Sequence, residues 1–373
     1  MSYKSSVKSS LILGGLVAAL FIFAIPAVYA QHGQNEQSEA YPHEAGVDTA
    51  EFRAGEMIIE HITDAYEWHI TTIGHTHISI PLPVILYDEG QWHVFMSGKL
   101  HHGHESYLGY FISKDDFNAG KIVKLDADGH EVRPTLDISL TKNVLAILLS
   151  MLLMIFVFIS IAKAYKKREG HAPKGLQSFM EPIILFVRDD IAKSSIGEKK
   201  YERYLPFLLT IFFFILFNNL LGIVPFFPGG ANITGNIGVT GVLAAFTFII
   251  TSFSGNKAYW THIVNMPGVP WWLKIPVPLM PIVELMGLFT KPFVLMVRLF
   301  ANMSAGHIII LGFISLIFIF GEMSTGLGLG VSVVSVGFSI FMDLLELLVA
   351  FIQAYVFTLL SALYFGMAIE EHH

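Results

Sequence analysis

The sequence predicts an all-α polytopic membrane protein of about five membrane helices, the last two a long, strongly tilted antiparallel hairpin, with a small N-terminal extracytoplasmic domain that contains strand-like segments. Three observations carry this. The 373 residues are 53% hydrophobic and only 14% charged, with a mean hydropathy of +0.59, so there is too little polar surface to cover a water-soluble globule of this size. From Leu140 onward, apolar runs recur near the ~20 residues that a bilayer-crossing helix needs. The charges are also segregated: residues 31–135 hold 6 Lys and Arg against 17 Asp and Glu. The formal net charge of −7 therefore conceals an acidic segment followed by a slightly basic remainder. With no cysteine, disulfides and thiolate metal or redox sites are excluded.

Residues 1–30 read as an export signal. Lys4 and Lys8 precede the apolar run Leu11 to Ile25, and Pro26 and the small-residue ending Val28-Tyr29-Ala30 follow. Cleavage after Ala30 is the expectation, with an uncleaved first membrane helix as the alternative. In either case the chain from residue 31 starts outside the cytoplasm. Residues 31–135 form the acidic extracytoplasmic domain, which holds 11 of the 16 histidines. Alternating runs at 78–86 and 91–95 read as strands. His101, His102 and His104 cluster, and His75 and His77 fall on one side of a possible strand, which raises Zn or Cu binding as a hypothesis. No spacing fixes a tetrahedral site, so solvated histidines are the better reading. No metal or other cofactor is expected.

Residues 136–373 form the membrane domain, with spans at about 140–162, 204–224, 236–254, 282–320 and 331–369. Ten basic residues lie in 163–203, which places that segment in the cytoplasm by the positive-inside bias. The turn at Pro225-Phe226-Phe227-Pro228 has no Lys or Arg and belongs outside, whereas the loop with Lys257 and Lys274 returns inside. The last two spans flank a glycine-rich break, 321–330. Each is about 58 Å long at helical rise, against ~30 Å of hydrocarbon. They must tilt far beyond the ordinary ~20°, with a kink expected at Pro292. A long oblique pair suits contact with the curved wall of another membrane object.

Ionisable residues concentrate in this hairpin: Glu284, Lys291, Arg298 and His307, with Asn302, on one arm, and Asp343 and Glu346, with Gln353, on the other. At membrane depth such groups are costly, so an ion path is the default hypothesis; interhelical pairing is the alternative. Arg298 favours the path, because a guanidinium keeps its charge at any relevant pH. Glu284 and Lys291, near the cytoplasmic end, could instead pair or snorkel. In an antiparallel hairpin, residues at one level share a midpoint. Arg298 with Gln353, and His307 with Glu346, both centre near Gly326. Glu346 and Gln353 share a helix face, whereas Arg298 and His307, nine residues apart, point nearly opposite ways.

The stretch Pro292-Phe-Val-Leu-Met-Val-Arg298-Leu-Phe-Ala-Asn302-Met-Ser-Ala-Gly-His307 resembles the arginine motif of the F-type ATP synthase subunit a family. Tyr204-Leu-Pro-Phe-Leu-Leu-Thr, Phe217-Asn218-Asn219-Leu-Leu-Gly-Ile-Val-Pro225 and Gln353-Ala-Tyr-Val-Phe extend the resemblance over roughly 140–373. It implies a non-catalytic subunit of a bacterial inner-membrane complex, with the c ring, peripheral-stalk b subunits and the rest of the synthase as partners. It further implies that Arg298 faces the c ring, that Asn302, His307, Glu346 and Gln353 belong to an outer proton half-channel, and that Glu284 belongs to an inner one. The His307–Glu346 pair looks like a swap of positions that some relatives fill the other way round. Ala301 stands where glycine is frequent in the family.

On that reading protons enter past His307 and Glu346 to a ring carboxylate, and Arg298 attracts the ionised carboxylate while blocking leakage between the half-channels. Other classes fit less well. Secondary transporters often carry internal repeats, and none is found here. A metal-handling membrane protein would carry ligand-spaced clusters in its spans. There is no phosphate-binding Gly-rich Lys-Ser/Thr loop, and no basic surface for nucleic acid.

Overall fold

The computed structural model describes residues 53–73, 76–115, 117–224, 227–264 and 279–370. The expected export signal, His75, Pro225 and Lys274 lie outside the described residues. The N-terminal domain opens with α1 (Ala54–Ile62) and continues with β1 (Glu67–Ile73), β2 (Thr76–Pro81), β3 (Pro83–Asp88), β4 (Gln91–Met96), β5 (Tyr110–Ile112), β6 (Ile122–Leu125), β7 (Glu131–Val132) and β8 (Leu136–Asp137). They make three small antiparallel sheets, ordered β1-β2, β4-β3-β8 and β5-β6-β7.

The run 78–86, expected as one strand, is split at Leu82 into two strands of different sheets. Prolines 81 and 83 flank the break, and a proline cannot donate to a ladder. Glu89 and Gly90 link β3 to β4 with φ of 48° and 82°, the two-residue turn whose twist matches a hairpin. Val84 and Leu86 point inward to join Tyr66, Phe95, Leu100, Tyr110 and Ile122 in the domain core. Asp88 lies beside that core. Burial pushes its carboxyl up, but Lys124, the Tyr110 hydroxyl and Thr135 donate to it and together hold it at about 2.

The membrane helices are α2 (Lys142–Lys167), α4 (Tyr201–Ile223), α5 (Ile237–Ser254), α7 (Leu279–Met323) and α8 (Thr325–Ile369). Between α2 and α4 lies α3 (Leu176–Phe186), followed by a π-helical turn, Val187–Lys193, and a short helix, Ser194–Ile196. The helix α6 (Lys257–Val264) follows α5. Thr141 caps α2 through its hydroxyl, and Asn236 caps α5 by accepting from Gly238 and Val239, satisfying donors that a helix start leaves unmet. The first span runs five residues past its expected end, because Lys166 and Lys167 suit the negative end of the helix.

The hairpin corrects the sequence reading in one respect. The expected break at 321–330 shrinks to Ser324 alone; Gly321 ends one arm in helix, and Gly326, Gly328 and Gly330 begin the other in helix. In lipid, backbone groups must find partners within the segment, and this outweighs glycine's penalty of about 1 kcal/mol per residue. Each arm is 45 residues long, about 68 Å at helical rise, and α7 passes through Pro292 without interruption.

The helix α4 is the inner post of the membrane domain, with Leu208, Ile211, Phe212, Phe213 and Ile215 fully enclosed. It packs on α8, where Tyr204 stacks on Phe365 with ring centroids 5.1 Å apart. At Gly366 a Cβ would lie 2.1 Å from the Ser195 carbonyl oxygen, so α8 crosses the connecting segment in direct backbone contact. The helix α5 packs on both hairpin arms. The N-terminal domain is seated on the helices as well: α1 lies on α7, and Trp68 enters the membrane core and meets Phe227 edge-on at 5.2 Å.

The Thr247 and Ser361 hydroxyls, on α5 and α8, are 3.1 Å apart and buried. Cysteines at these positions would place their sulfurs in contact, about 1 Å from the S–S bond length of ~2.05 Å. Because the chain has no cysteine, Thr247→Cys with Ser361→Cys should form one intramolecular cross-link on mild oxidation. A mobility shift reversed by reductant would report it, whereas either single variant should stay unshifted.

Candidate functional site

The arms of the hairpin meet in the register read from the sequence. His307 Nε2 lies 3.7 Å from Glu346 Oε1, and Phe313 packs on Phe338 with ring centroids 4.0 Å apart. The second pair shares its midpoint with Arg298 and Gln353. A separation of 3.7 Å is an electrostatic approach and too long for a direct hydrogen bond. Glu346 is 5% exposed. Both its carboxylate oxygens and His307 Nε2 are buried with no hydrogen-bond partner among the described residues. Buried polar atoms left unmet are expensive, and in a membrane segment they mark function more often than structure.

One glycine makes room for this pair, and a second lies beside it. A Cβ on Gly306 would stand 2.8 Å from Glu346 Oε1, and one on Gly222 of α4 would stand 3.5 Å from His307 Nε2. Around them, side chains lock the neighbouring backbone. Asn219 Nδ2 donates to the Ala350 carbonyl at 3.2 Å, Thr234 Oγ1 donates to Asn219 Oδ1 at 2.6 Å, and Ser304 Oγ donates to the Gly235 carbonyl at 3.2 Å. Asn218 Oδ1, one turn before Gly222, and Ser339 Oγ, two turns before Glu346, are also buried without partners among the described residues. In the sequence, Asn218 and Asn219 stood out only as part of the stretch that carries the family resemblance. It gave no sign of the role of Gly306, because a close approach between helices leaves no mark in one chain's spacing.

Arg298 lies on the other side of α7. Leu295, Leu299 and Met303 turn inward and are buried, while Arg298 is half-buried and Asn302, one turn on, is exposed between exposed Ala301 and Ala305. Arg298 has no hydrogen bond or ion pair with any described residue. Gln353 is 6% exposed and shares the inner face of α8 with Glu346, and no hydrogen bond joins it to Arg298. Exposed apolar side chains surround this open face, including Phe293 and Val294 on α7 and Phe341, Leu344 and Leu348 on α8.

A narrow crevice opens at the far end of the membrane domain, lined by Thr247, Thr251, Tyr259, Lys291 and Tyr364 among others. Lys291 and Glu284 do not pair with each other there. The Lys291 ammonium sits 5.6 Å from the Tyr364 ring centroid. Glu284 is half-buried and close enough to Tyr259 that its charge, after burial, helps push that phenol above its usual range. In the N-terminal domain, His102 Nδ1 contacts Glu67 and His101 Nε2 lies 3.6 Å from Glu105. Among the described residues no group of three or more potential ligands could hold a metal ion.

The family described as ATP synthase A chain matches residues 144–366, and a domain of unknown function, DUF8433, matches residues 57–143. ATP synthase subunit a of Chloroherpeton thalassium is 43% identical over 273 residues, covering 71% of this chain and 75% of its own. ATP synthase subunit a 2 of Chlorobaculum tepidum is 47% identical over 238 residues, covering 62% of this chain and 64% of its own. ATP synthase subunit a of an Anaeromyxobacter species is 39% identical over 280 residues, with 69% and 64% covered.

Gly306→Ala should overpack the Glu346 carboxylate and destabilise the chain by about 1–3 kcal/mol. Gly312→Ala, where a Cβ meets nothing within 4 Å, should be neutral or stabilising by up to about 1 kcal/mol. Thermal unfolding of the two purified variants in one detergent compares them directly.

Proposed function

The chain belongs to the ATP synthase A chain family, and from that premise we propose that it carries protons through the membrane sector by two half-channels separated by Arg298. As a member it is a non-catalytic, multi-pass subunit of the membrane sector and works with the rest of the ATP synthase complex. In the proposed arrangement the N-terminal domain faces outside and the C-terminus faces the cytoplasm of a bacterial inner membrane. The open face of the hairpin meets the c ring, and the peripheral-stalk b subunits hold the subunit in place.

The observation that carries this reading is the state of Arg298: a permanent cation, half-buried at membrane depth, with no anionic partner among the described residues. Its environment is stable only beside a carboxylate supplied from outside the chain. Exposed Ala301 and Ala305 let a neighbouring helix come close, and Asn302 adds a polar contact on the same face. A ring carboxylate arriving there is held ionised by the guanidinium. Because the guanidinium cannot deprotonate, it also denies protons a direct passage between the two sides.

The outer half-channel runs along Asn218, His307, Glu346 and Ser339, whose buried, unmet polar atoms suit mobile water and proton exchange. Gln353 continues the same face of α8 toward the level of Arg298. The inner half-channel uses the crevice of Thr247, Thr251, Tyr259 and Tyr364, with Glu284 and Lys291 at its edge. Proton flow from one to the other requires the ring to turn, and that rotation couples transport to ATP synthesis.

Arg298→Lys should abolish coupled ATP synthesis even in complexes that assemble. Lysine loses the planar fork and can deprotonate in an apolar setting. Arg298→Ala should do the same and add passive proton leakage. Pumping and synthesis are to be measured at matched complex levels, and near-normal coupling in Arg298→Lys would refute the mechanism.

For the outer relay, His307→Glu combined with Glu346→His should retain more proton transport than either single neutral substitution. A double variant no better than Glu346→Ala would show that the two groups do not share one relay.

A further inference from the structure

The joint between the N-terminal domain and the membrane helices holds a carboxylate that the mechanism above does not use. Asp64 follows α1 and is 8% exposed. Its Oδ1 accepts from the Ala65 amide at 3.1 Å and from the Asn143 amide at the start of α2 at 2.9 Å. The Lys142 amide donates to the Ala65 carbonyl at 2.8 Å, and the Lys142 ammonium donates to the His61 carbonyl at 3.1 Å. As a helix cap alone, Asp64 would need only Oδ1. Yet Oδ2 and the neighbouring Asn143 Oδ1 are both buried acceptors without a partner among the described residues.

The place of this joint gives those atoms meaning. The helix α1, which delivers Asp64, lies on α7, the arm that carries His307. Lys142 is within electrostatic reach of His307 as well as of Asp64. The groups facing Asp64 are Thr141 and Lys142 from α2, and Tyr66, whose hydroxyl donates to Asp137 at 2.6 Å, from the domain.

Resting on the outer half-channel reading, we propose that the N-terminal domain forms the mouth of that half-channel and that Asp64 is its proton-accepting carboxylate. The step is proton exchange alone. Asp64 takes a proton from the aqueous side and releases it inward toward His307 and Glu346, with no other bond made or broken. Burial lifts the Asp64 carboxyl to about 6, against the Asn143 hydrogen bond, the nearby Thr141 hydroxyl and the charge of Lys142. A group at that value exchanges protons readily near neutral pH.

The test uses the assembled complex in vesicles, with proton transport driven by an imposed gradient while pH on the domain's side is varied. Asp64→Asn keeps the Oδ1 acceptor for both amides. It should slow transport several-fold per complex and remove a step in the rate profile near pH 6, and Asp64→Glu should restore both. Wild-type transport and an unchanged profile in Asp64→Asn would overturn the proposal. So would a loss of assembly with full transport in each surviving complex, which marks a purely structural joint. Glu346→Gln separates the two readings. If it is blocked while Asp64→Asn is unaltered, only the mouth is lost; if it too is unaltered, the half-channel beneath the proposal falls with it.

Discussion

The organising constraint is that polar atoms in lipid must be met from within the protein or from a partner. The backbone obeys it by staying helical through Pro292 and through the glycines at the hairpin tip. Asn219, Thr234, Ser304, Thr247 and Ser361 obey it by tying one element to another. Asn218 and Ser339 keep unmet atoms among the described residues, and so do His307 and Glu346, while Arg298 has no hydrogen bond or ion pair there. The ionisable groups are spread over the two arms, His307 and Glu346 turned in together and Arg298 turned out. That contrast between tied polar groups and ionisable groups without a partner runs through the hairpin.

The same contrast explains how much could be read from the sequence. Hydropathy located the five helices that, among the described residues, are long and apolar enough to cross a membrane, because length and apolarity are what lipid demands. The level of His307 with Glu346 followed from midpoint and helical pitch alone, and the 3.7 Å approach agrees with it. The strands at 78–86 and 91–95 were legible from alternation, apart from the split at Leu82. Local propensity misled at the hairpin tip, where glycines suggested a ten-residue break and lipid enforced helix up to Ser324 and directly after it.

Other features were not legible because they depend on contacts between distant elements. Gly306 looks like an ordinary helix glycine until the opposing Glu346 is placed. Asp64 looks like one acidic residue among many until α2 closes over it. Likewise, Glu284 and Lys291 lie near Tyr259 and Tyr364, which sit on other helices.

The backbone crossing at Gly366 has a mechanical consequence. Side chains in contact can yield by changing rotamer, but a helix resting on the Ser195 carbonyl has nothing soft between the two main chains. A sideways thrust on α8 meets that crossing directly. With Phe365 wedged against Tyr204 and Phe207 beside that crossing, the thrust passes into α4 and the segment before it with little elastic loss. At Gly366 the membrane domain therefore resists sideways displacement of α8 backbone against backbone.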